Sequence, residues 1–374
     1  MTMGFCKKCA AFFRKEVVLC VAALLALLSC CLVPPSAAYL SYIDWDTLAL
    51  LFGLMAVMQG LQKANFFVCL ASLLLKKIRS TRAMLFLLVF LPFVCSMVIT
   101  NDVALIAFVP FGLTILRLAG QERLAVHQVV LQTLAANLGS MLTPMGNPQN
   151  LYLYNQSGVG VAQFCGLMLP YVAASALFLA VAVLLSKPAS MEAVPLTTGL
   201  GKPRDLCCYG AWFLLCLLGV FKVLPALAVA AIAALFLLFY DRKVLAAVAY
   251  SLLGTFVAFF VFVGNVSELP GVQNFLASVL EGRVELVSVL TSQVISNVPA
   301  ALLLAGFTTH WEGLIVGCNL GGLGTLIASM ASLISYKLVA KQYPQLRGRY
   351  FRWFTALNVL FLALLFLLFL AVGG

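Results

Sequence analysis

Charge is what this sequence has least of. Asp, Glu, Lys and Arg together supply 9% of its 374 residues, whereas a water-soluble domain of that size needs about 25% to cover its surface. The shortage excludes an ordinary soluble enzyme or binding module. Histidine is scarce as well, with two in the chain, and neither has a metal-ligand partner at helical spacing. His127, near a cytoplasmic helix end, and His310, in an external loop, read as surface residues. There is no His-Glu-x-x-His and no run of carboxylates, so the concentrated catalytic set of an intramembrane enzyme is missing. Cys6-x-x-Cys9 has the spacing of a metal clip, but no second pair follows it, and no cofactor is expected.

What the chain has in quantity is apolar sequence. It is 64% hydrophobic, with a mean hydropathy of +1.09. The apolar runs recur at about 20 residues, the length of a helical bilayer crossing. Lipid offers no partner to free backbone polar groups, so helices must carry the crossings. The twelve cysteines are scattered through these runs as small hydrophobes. A net charge of +11 would suit nucleic acid, but the Lys and Arg residues sit in short clusters between apolar runs. That is the positive-inside pattern of a multi-pass membrane protein, and no nucleic-acid partner is expected.

The basic clusters act as a compass. Lys7, Lys8, Arg14 and Lys15 precede an apolar run, Val17 to Val33, then Ser36-Ala37-Ala38, an outline shared with signal peptides. The run is long for a signal core and is kept as a first helix that leaves the cytoplasm. A second, about Thr47–Leu61, returns, and Lys63 to Lys77 reads as an interfacial helix. Met84 to Leu116 is apolar but interrupted at Thr100-Asn101-Asp102 and flanked by Arg79, Arg82, Arg117 and Arg123. A re-entrant hairpin keeps both basic ends inside. About Leu124–Tyr154 is a crossing broken at Gly139, Thr143-Pro144, Gly146-Asn147-Pro148 and Asn150, and Phe164–Leu185 returns. Ser186–Asp205 is polar enough to link two halves, and Tyr209–Phe221 connects them.

The second half follows the same order. Ala226–Tyr240 and Leu245–Gly264 are its first two helices, and a loop-plus-helix carries Glu268, Glu281 and Glu285 outside. Val284–Phe307 forms a hairpin with Ser296-Asn297-Val298-Pro299 at its tip. Gly313–Val339 is broken at Asn319 to Ser329 and ends among Lys337, Lys341, Arg347, Arg349 and Arg352. Trp353–Val372 exits, placing the N-terminus in the cytoplasm and the C-terminus outside. The expected fold is therefore an all-α polytopic membrane protein with two inverted repeats, about nine crossings and two hairpins. Its divisions are 1–185 for the first repeat, 186–225 for the linker and connecting helix, and 226–374 for the second repeat.

The polar breaks repeat in register. Asn137-Leu138-Gly139 followed by Thr143 matches Asn319-Leu320-Gly321 followed by Thr325, and Thr100-Asn101 matches Ser296-Asn297. Small residues alone would serve close helix packing, but packing does not call for asparagines recurring with Gly-Pro breaks. Inverted repeats with discontinuous helices belong to secondary transporters. A helix starting in mid-membrane aims N–H groups at an anion. Broken partners offer carbonyls and the side-chain oxygens of Asn, Thr and Ser to a small cation such as sodium. The candidate binding residues are Thr100, Asn101, Asp102, Thr143, Gly146, Asn147, Asn150, Ser296, Asn297, Asn319, Gly322, Gly324 and Thr325, with sodium expected at Asn101 and Asn297. Asp102 is a candidate for coupling to a proton or sodium, because an intramembrane carboxylate is costly without a role. Its alternative role is a helix cap.

Three stretches carry a resemblance: Thr100-Asn101-Asp102-Val103-Ala104-Leu105-Ile106, Thr143-Pro144-Met145-Gly146-Asn147-Pro148-Gln149-Asn150, and Asn319-Leu320-Gly321-Gly322-Leu323-Gly324-Thr325-Leu326-Ile327. Together they resemble the ion-transporter superfamily of citrate permeases, divalent-anion:sodium symporters, arsenite permeases and some sodium/proton antiporters. The resemblance implies an ion-coupled carrier of a small anion in the plasma or bacterial inner membrane. It further implies a homodimer whose transport domains move as elevators, and the alternative is a sodium/proton antiporter or arsenite-type efflux permease. In the divalent-anion symporters Ser-Asn-Thr at both tips binds carboxylate and sodium. Carried over, these positions are Thr100, Asn101 and Asp102, then Ser296, Asn297 and Val298. Here Asp102 adds a negative charge and Val298 removes a hydroxyl.

Overall fold

A computed structural model describes residues 16–76, 78–186, 188–189, 199 and 201–372. The basic cluster Lys7–Lys15, the Cys6/Cys9 pair, Lys77 and most of the polar stretch after Ser186 lie outside the described residues. Every regular element described is helical. The first half of the chain contains α1 (Val17–Cys30), α2 (Trp45–Lys63), α3 (Phe66–Leu75), α4 (Thr81–Cys95), α5 (Asn101–Leu118), α6 (Ala125–Gly139), α7 (Pro148–Ser157) and α8 (Val161–Leu184). The connecting helix is α9 (Pro203–Val220). Then come α10 (Ala226–Tyr240), α11 (Arg242–Ala247), α12 (Tyr250–Ser267), α13 (Pro270–Leu280), α14 (Val284–Ile295), α15 (Asn297–Ala305), α16 (Trp311–Leu320), α17 (Met330–Gln342) and α18 (Arg347–Val372).

Local chemistry sets several boundaries. Asp44 caps α2 by accepting from the Thr47 N–H at 2.9 Å. Asn65, with φ 56, turns the chain through 53° between α2 and the interfacial α3. Proline opens α7, α9 and α13, where its missing N–H costs nothing. Pro203 accordingly starts the connecting helix within the stretch expected to be linker, earlier than Tyr209. In the first hairpin the break occupies residues 96–100, so Asn101 and Asp102 form the first turn of α5 rather than lying in a loop. In the second hairpin the whole break is Ser296, with φ 76 and ψ 154.

By length and composition, five described helical stretches can cross a bilayer alone: α5, α8, α9, α12 and the run Pro344–Val372; the bent α2–α3 pair makes a sixth. This is fewer than the expected nine because the other apolar elements come in shorter pieces. Helices α1, α4, α10 and α14 have 14, 15, 15 and 12 residues. The 18-residue α5, expected as one arm of a re-entrant hairpin, is itself long enough to span.

Packing between the halves is reciprocal. Helix α1 packs on α12, and α10 packs on α2. Helix α4 packs on α6 as α14 does on α16, while α5 crosses to α17 and α15 crosses to α7. The same reciprocity reaches single atoms. A Cβ on Gly139 would lie 2.7 Å from Ser96 Oγ, and one on Gly321 would lie 2.5 Å from Ser292 Oγ. The Thr143 hydroxyl donates to the Met97 carbonyl, and the Thr325 hydroxyl donates to the Gln293 carbonyl at 3.2 Å. One reading of the sequence is corrected: His127 is not a surface residue but half-buried, its Nε2 3.1 Å from Ser186 Oγ and its ring edge-on to Trp353.

Candidate functional site

Both hairpin tips reach one cavity. A space of about 240 Å³ is lined by Asn101 and Asp102 at the start of α5, Asn297 and Val298 at the start of α15, Pro148 and Gln149 at the start of α7, and Ser329 and Met330 at the start of α17. Four helix N-termini therefore surround it. The first N–H groups of each have no intrahelical acceptor, and each end carries about half a positive elementary charge. Such a wall favours a negatively charged guest. One edge is formed by Glu16, Ala249 and Lys337, on the side where the basic residues gather.

Buried asparagines hold three of the four ends, and the fourth, α15, is held by the Asn297 N–H donating to the Ala328 carbonyl at 2.9 Å. Asn137 Oδ1 accepts from Asn101 Nδ2 at 2.9 Å and from Ser329 Oγ at 3.2 Å, and its Nδ2 donates to Ser332 Oγ at 3.2 Å. At the matching position of the other repeat, Asn319 Nδ2 donates to Asn150 Oδ1 at 2.8 Å. Each Asn-Leu-Gly motif thus reaches the second half of the other repeat's broken helix. Asn150 Nδ2 in turn donates to the carbonyls of Ser140 and Thr143, tying down the first break.

Of the residues singled out from the sequence, Asn101, Asp102 and Asn297 line the cavity, and the others sit behind it. Thr100 is the backbone N-cap residue of α5. Asn147 Oδ1 accepts from Ser140 Oγ at 3.1 Å. A Cβ on Gly146 would come within 2.1 Å of the Ser140 carbonyl. Ser296 donates to the Ala328 carbonyl at 3.3 Å, and a Cβ on Gly322 would meet Asn297 Nδ2 at 2.9 Å. Gly324, with φ +96, and Thr325 lie in the second break. Asp102 is half-buried, and among the described residues its carboxylate has neither a hydrogen bond nor an ion pair. The Asp102 N–H is capped by Asn101 Oδ1 at 2.9 Å, so the side chain that closes this turn belongs to Asn101. With the cap supplied, the carboxylate of Asp102 is left facing the cavity.

Three glutamines escaped the sequence reading. Gln149 lines the cavity with a buried Nε2 that has no partner among the described residues. Gln132 donates to the Leu88 carbonyl at 2.8 Å, the one that Pro92 inside α4 leaves without its i+4 N–H. Gln293 spans the second break. The available signals were an amide one helical turn before Asn297 and a proline in an apolar run needing a donor.

Comparison with known proteins places this geometry. Residues 7–310 match the family described as "Citrate transporter". The chain is 33% identical over 304 residues to "Inner membrane protein YbiR" of Escherichia coli (strain K12), covering 79% of this chain and 80% of that protein. It is 31% identical over 299 residues to "Uncharacterized transporter MJ0456" of Methanocaldococcus jannaschii, covering 79% and 81%. A shorter likeness, 33% over 134 residues, links it to "Silicon efflux transporter LSI3" of Oryza sativa, covering 36% of this chain and 27% of that protein.

Proposed function

The chain belongs to the citrate transporter family, a membrane transporter and not an enzyme, and we propose that it is an ion-coupled secondary active transporter of a small anion. The anion is a carboxylate or an inorganic oxyanion, and it crosses by alternating access. The observation that carries this reading is the meeting of both hairpin tips, Asn101 and Asn297, at one cavity walled by four helix N-termini. Four half-charges sum to about two positive charges, against one carboxylate, Asp102, among the tip residues. At the edge Lys337 and Glu16 offset each other, so the surplus of about one positive charge stands. An anion restores the balance, and Asp102 is the group that would carry a proton or pair with sodium.

The rest of the proposal follows from the charge compass and the reciprocal packing. Residues 1–185 and 226–374 act as inverted repeats joined by 186–225. The cavity edge at Lys337 faces the cytoplasm, so the conformation is inward-facing, in a plasma or inner membrane. The hairpins and broken helices form a moving transport unit against scaffold helices that dimerise. An efflux role is a second reading, favoured by Asp102 at the first tip and by the partial likeness to a silicon efflux transporter.

Purified protein in liposomes, given labelled citrate, succinate, sulfate or arsenite under separately imposed sodium and pH gradients, tests the proposal. Accumulation of one of these anions driven by one gradient is the expected result. Failure of every gradient to move any of them would reject ion-coupled anion transport.

A further inference from the structure

The two broken helices differ in a way that bears on coupling. Carbonyls freed in mid-membrane need a partner, and either an N–H donor or a cation can serve. In the first break Asn150 Nδ2 serves the carbonyls of Ser140 and Thr143, and in the second break the donor is built in at the carbonyls that match Gly139 and Met141. Gln293 on α14 points its amide nitrogen at the carbonyls of Gly321 (3.0 Å), Leu323 (2.9 Å) and Val289 (3.2 Å), while its Oε1 accepts from the Thr325 N–H at 2.9 Å. The chain can wrap so closely because Gly324 adopts φ +96, where a Cβ would sit 2.3 Å from Gln293 Oε1.

The matching position in the first repeat is Met97. The correspondence is fixed by the shared bond, Thr143 to the Met97 carbonyl and Thr325 to the Gln293 carbonyl. A thioether has no N–H to give. Among the described residues no side chain donates to the carbonyls of Gly139 or Met141, the counterparts of Gly321 and Leu323. Charge follows the same asymmetry, with Asp102 after Asn101 but Val298 after Asn297.

We propose that the Gln293 amide takes the place of a cation in the second repeat, so that the carrier couples to a single cation, held in the first repeat beside Asn101 and Asp102. The inference rests on the ion-coupled reading above and names its stoichiometry. In the first break Asn150 serves the carbonyls of Ser140 and Thr143, which leaves those of Gly139 and Met141 without a side-chain donor among the described residues, in the repeat that also carries Asp102.

The test uses the full chain in detergent, melted in sodium chloride and in choline chloride at equal ionic strength. Gln293→Glu removes the donors and sets a carboxylate against the carbonyls of Gly321 and Leu323, and Gln293→Met copies the first repeat. Each should gain a melting temperature that rises with sodium beyond any rise in the unmodified protein, since a ligand that binds the folded state stabilises it. Folded variants no more sensitive to sodium than the unmodified protein would overturn the proposal. If neither variant folds, uptake by the unmodified carrier decides. A Hill coefficient of about 1 for the coupling ion is expected, and a value of about 2 would require a second site and overturn it. A failure of the transporter reading itself looks different: uptake would ignore both gradients, while the melting comparison would still report on Gln293.

Discussion

Replacing Asn137 with Ala strikes the point where the two repeats are tied together. The side chain is 3% exposed and takes part in three hydrogen bonds, with Asn101, Ser329 and Ser332. Bonds between membrane helices average about 0.6 kcal/mol each by double-mutant cycles, which puts the loss near 2 kcal/mol. Using about 1 kcal/mol for each bond, the usual net value in a protein interior, puts it near 3 kcal/mol. The larger figure suits Ser332, which is 0% exposed, so water cannot easily replace its partner. The smaller suits Asn101 and Ser329, which border the cavity.

The expected loss is therefore about 2–3 kcal/mol, and if all of it falls on the binding-competent arrangement, apparent affinity drops roughly 30- to 150-fold. Reversible unfolding in micelles and the KM for uptake in liposomes measure the two. A double-mutant cycle with Ser332→Ala separates the direct bond from general loosening, with about 0.6 kcal/mol of coupling expected. A loss below about 0.5 kcal/mol with KM unchanged, the range of ordinary surface substitutions, would refute the idea that Asn137 organises the site.

Other outcomes follow from the same geometry. Asp102→Asn keeps the shape but cannot ionise, so gradient-driven accumulation and its ion dependence should disappear while substrate exchange across liposomes survives; normal accumulation would remove Asp102 from coupling. Glu122 accepts from the Tyr343 hydroxyl at 2.8 Å and from Arg117 at 3.2 Å, which hold its carboxyl below the usual glutamate value, the tyrosine bond foremost. A depressed carboxyl stabilises the fold above its ordinary range and loses that contribution as pH falls through the lowered value. Melting temperature should thus drop from about pH 6 to about pH 3, and drop less in Tyr343→Phe; an equal drop would mean the bond between Glu122 and Tyr343 is not formed in the membrane protein.

The sequence was most legible where polar residues interrupt apolar ones. Asn137, Asn150, Asn297 and Asn319 stand out against their neighbours, and the structure gathers them into the walls and supports of one site. Helix type was equally plain, since lipid permits little else. Lengths were harder. The separation of Trp45–Lys63 from Phe66–Leu75 was legible at Lys63, but the 53° bend, with Asn65 at φ 56, was not. The roles of Gln132, Gln149 and Gln293 could not be read, because their amide nitrogens donate to backbone carbonyls or have no partner among the described residues. Which carbonyls are free depends on prolines and breaks in a different helix. The two roles weighed for Asp102 could not be told apart for a related reason: it is the acidic residue of the first turn of α5, while the hydrogen bond to its N–H comes from the adjacent Asn101.

The meeting of four helix N-termini has a topological cause. In each half a hairpin's second arm and a broken helix's second part begin inside the protein, at α5 and α7 in one and α15 and α17 in the other. Two copies pointing the same way would stack these starts as a column of parallel dipoles, with positive ends at different depths. Inversion would set the starts of one copy against those of the other, in keeping with the contacts of α5 with α17 and of α15 with α7. Two of the starts, those of α17 and α7, are then fixed by a residue from the opposite half, Asn137 on Ser332 and Asn319 on Asn150. Four positive ends facing one another repel when the cavity is empty and are relieved when an anion enters, so binding should draw the two copies together. The same exchange of partners forbids either copy from forming the site alone. Separating the hairpins from the broken helices would break the asparagine ties between them.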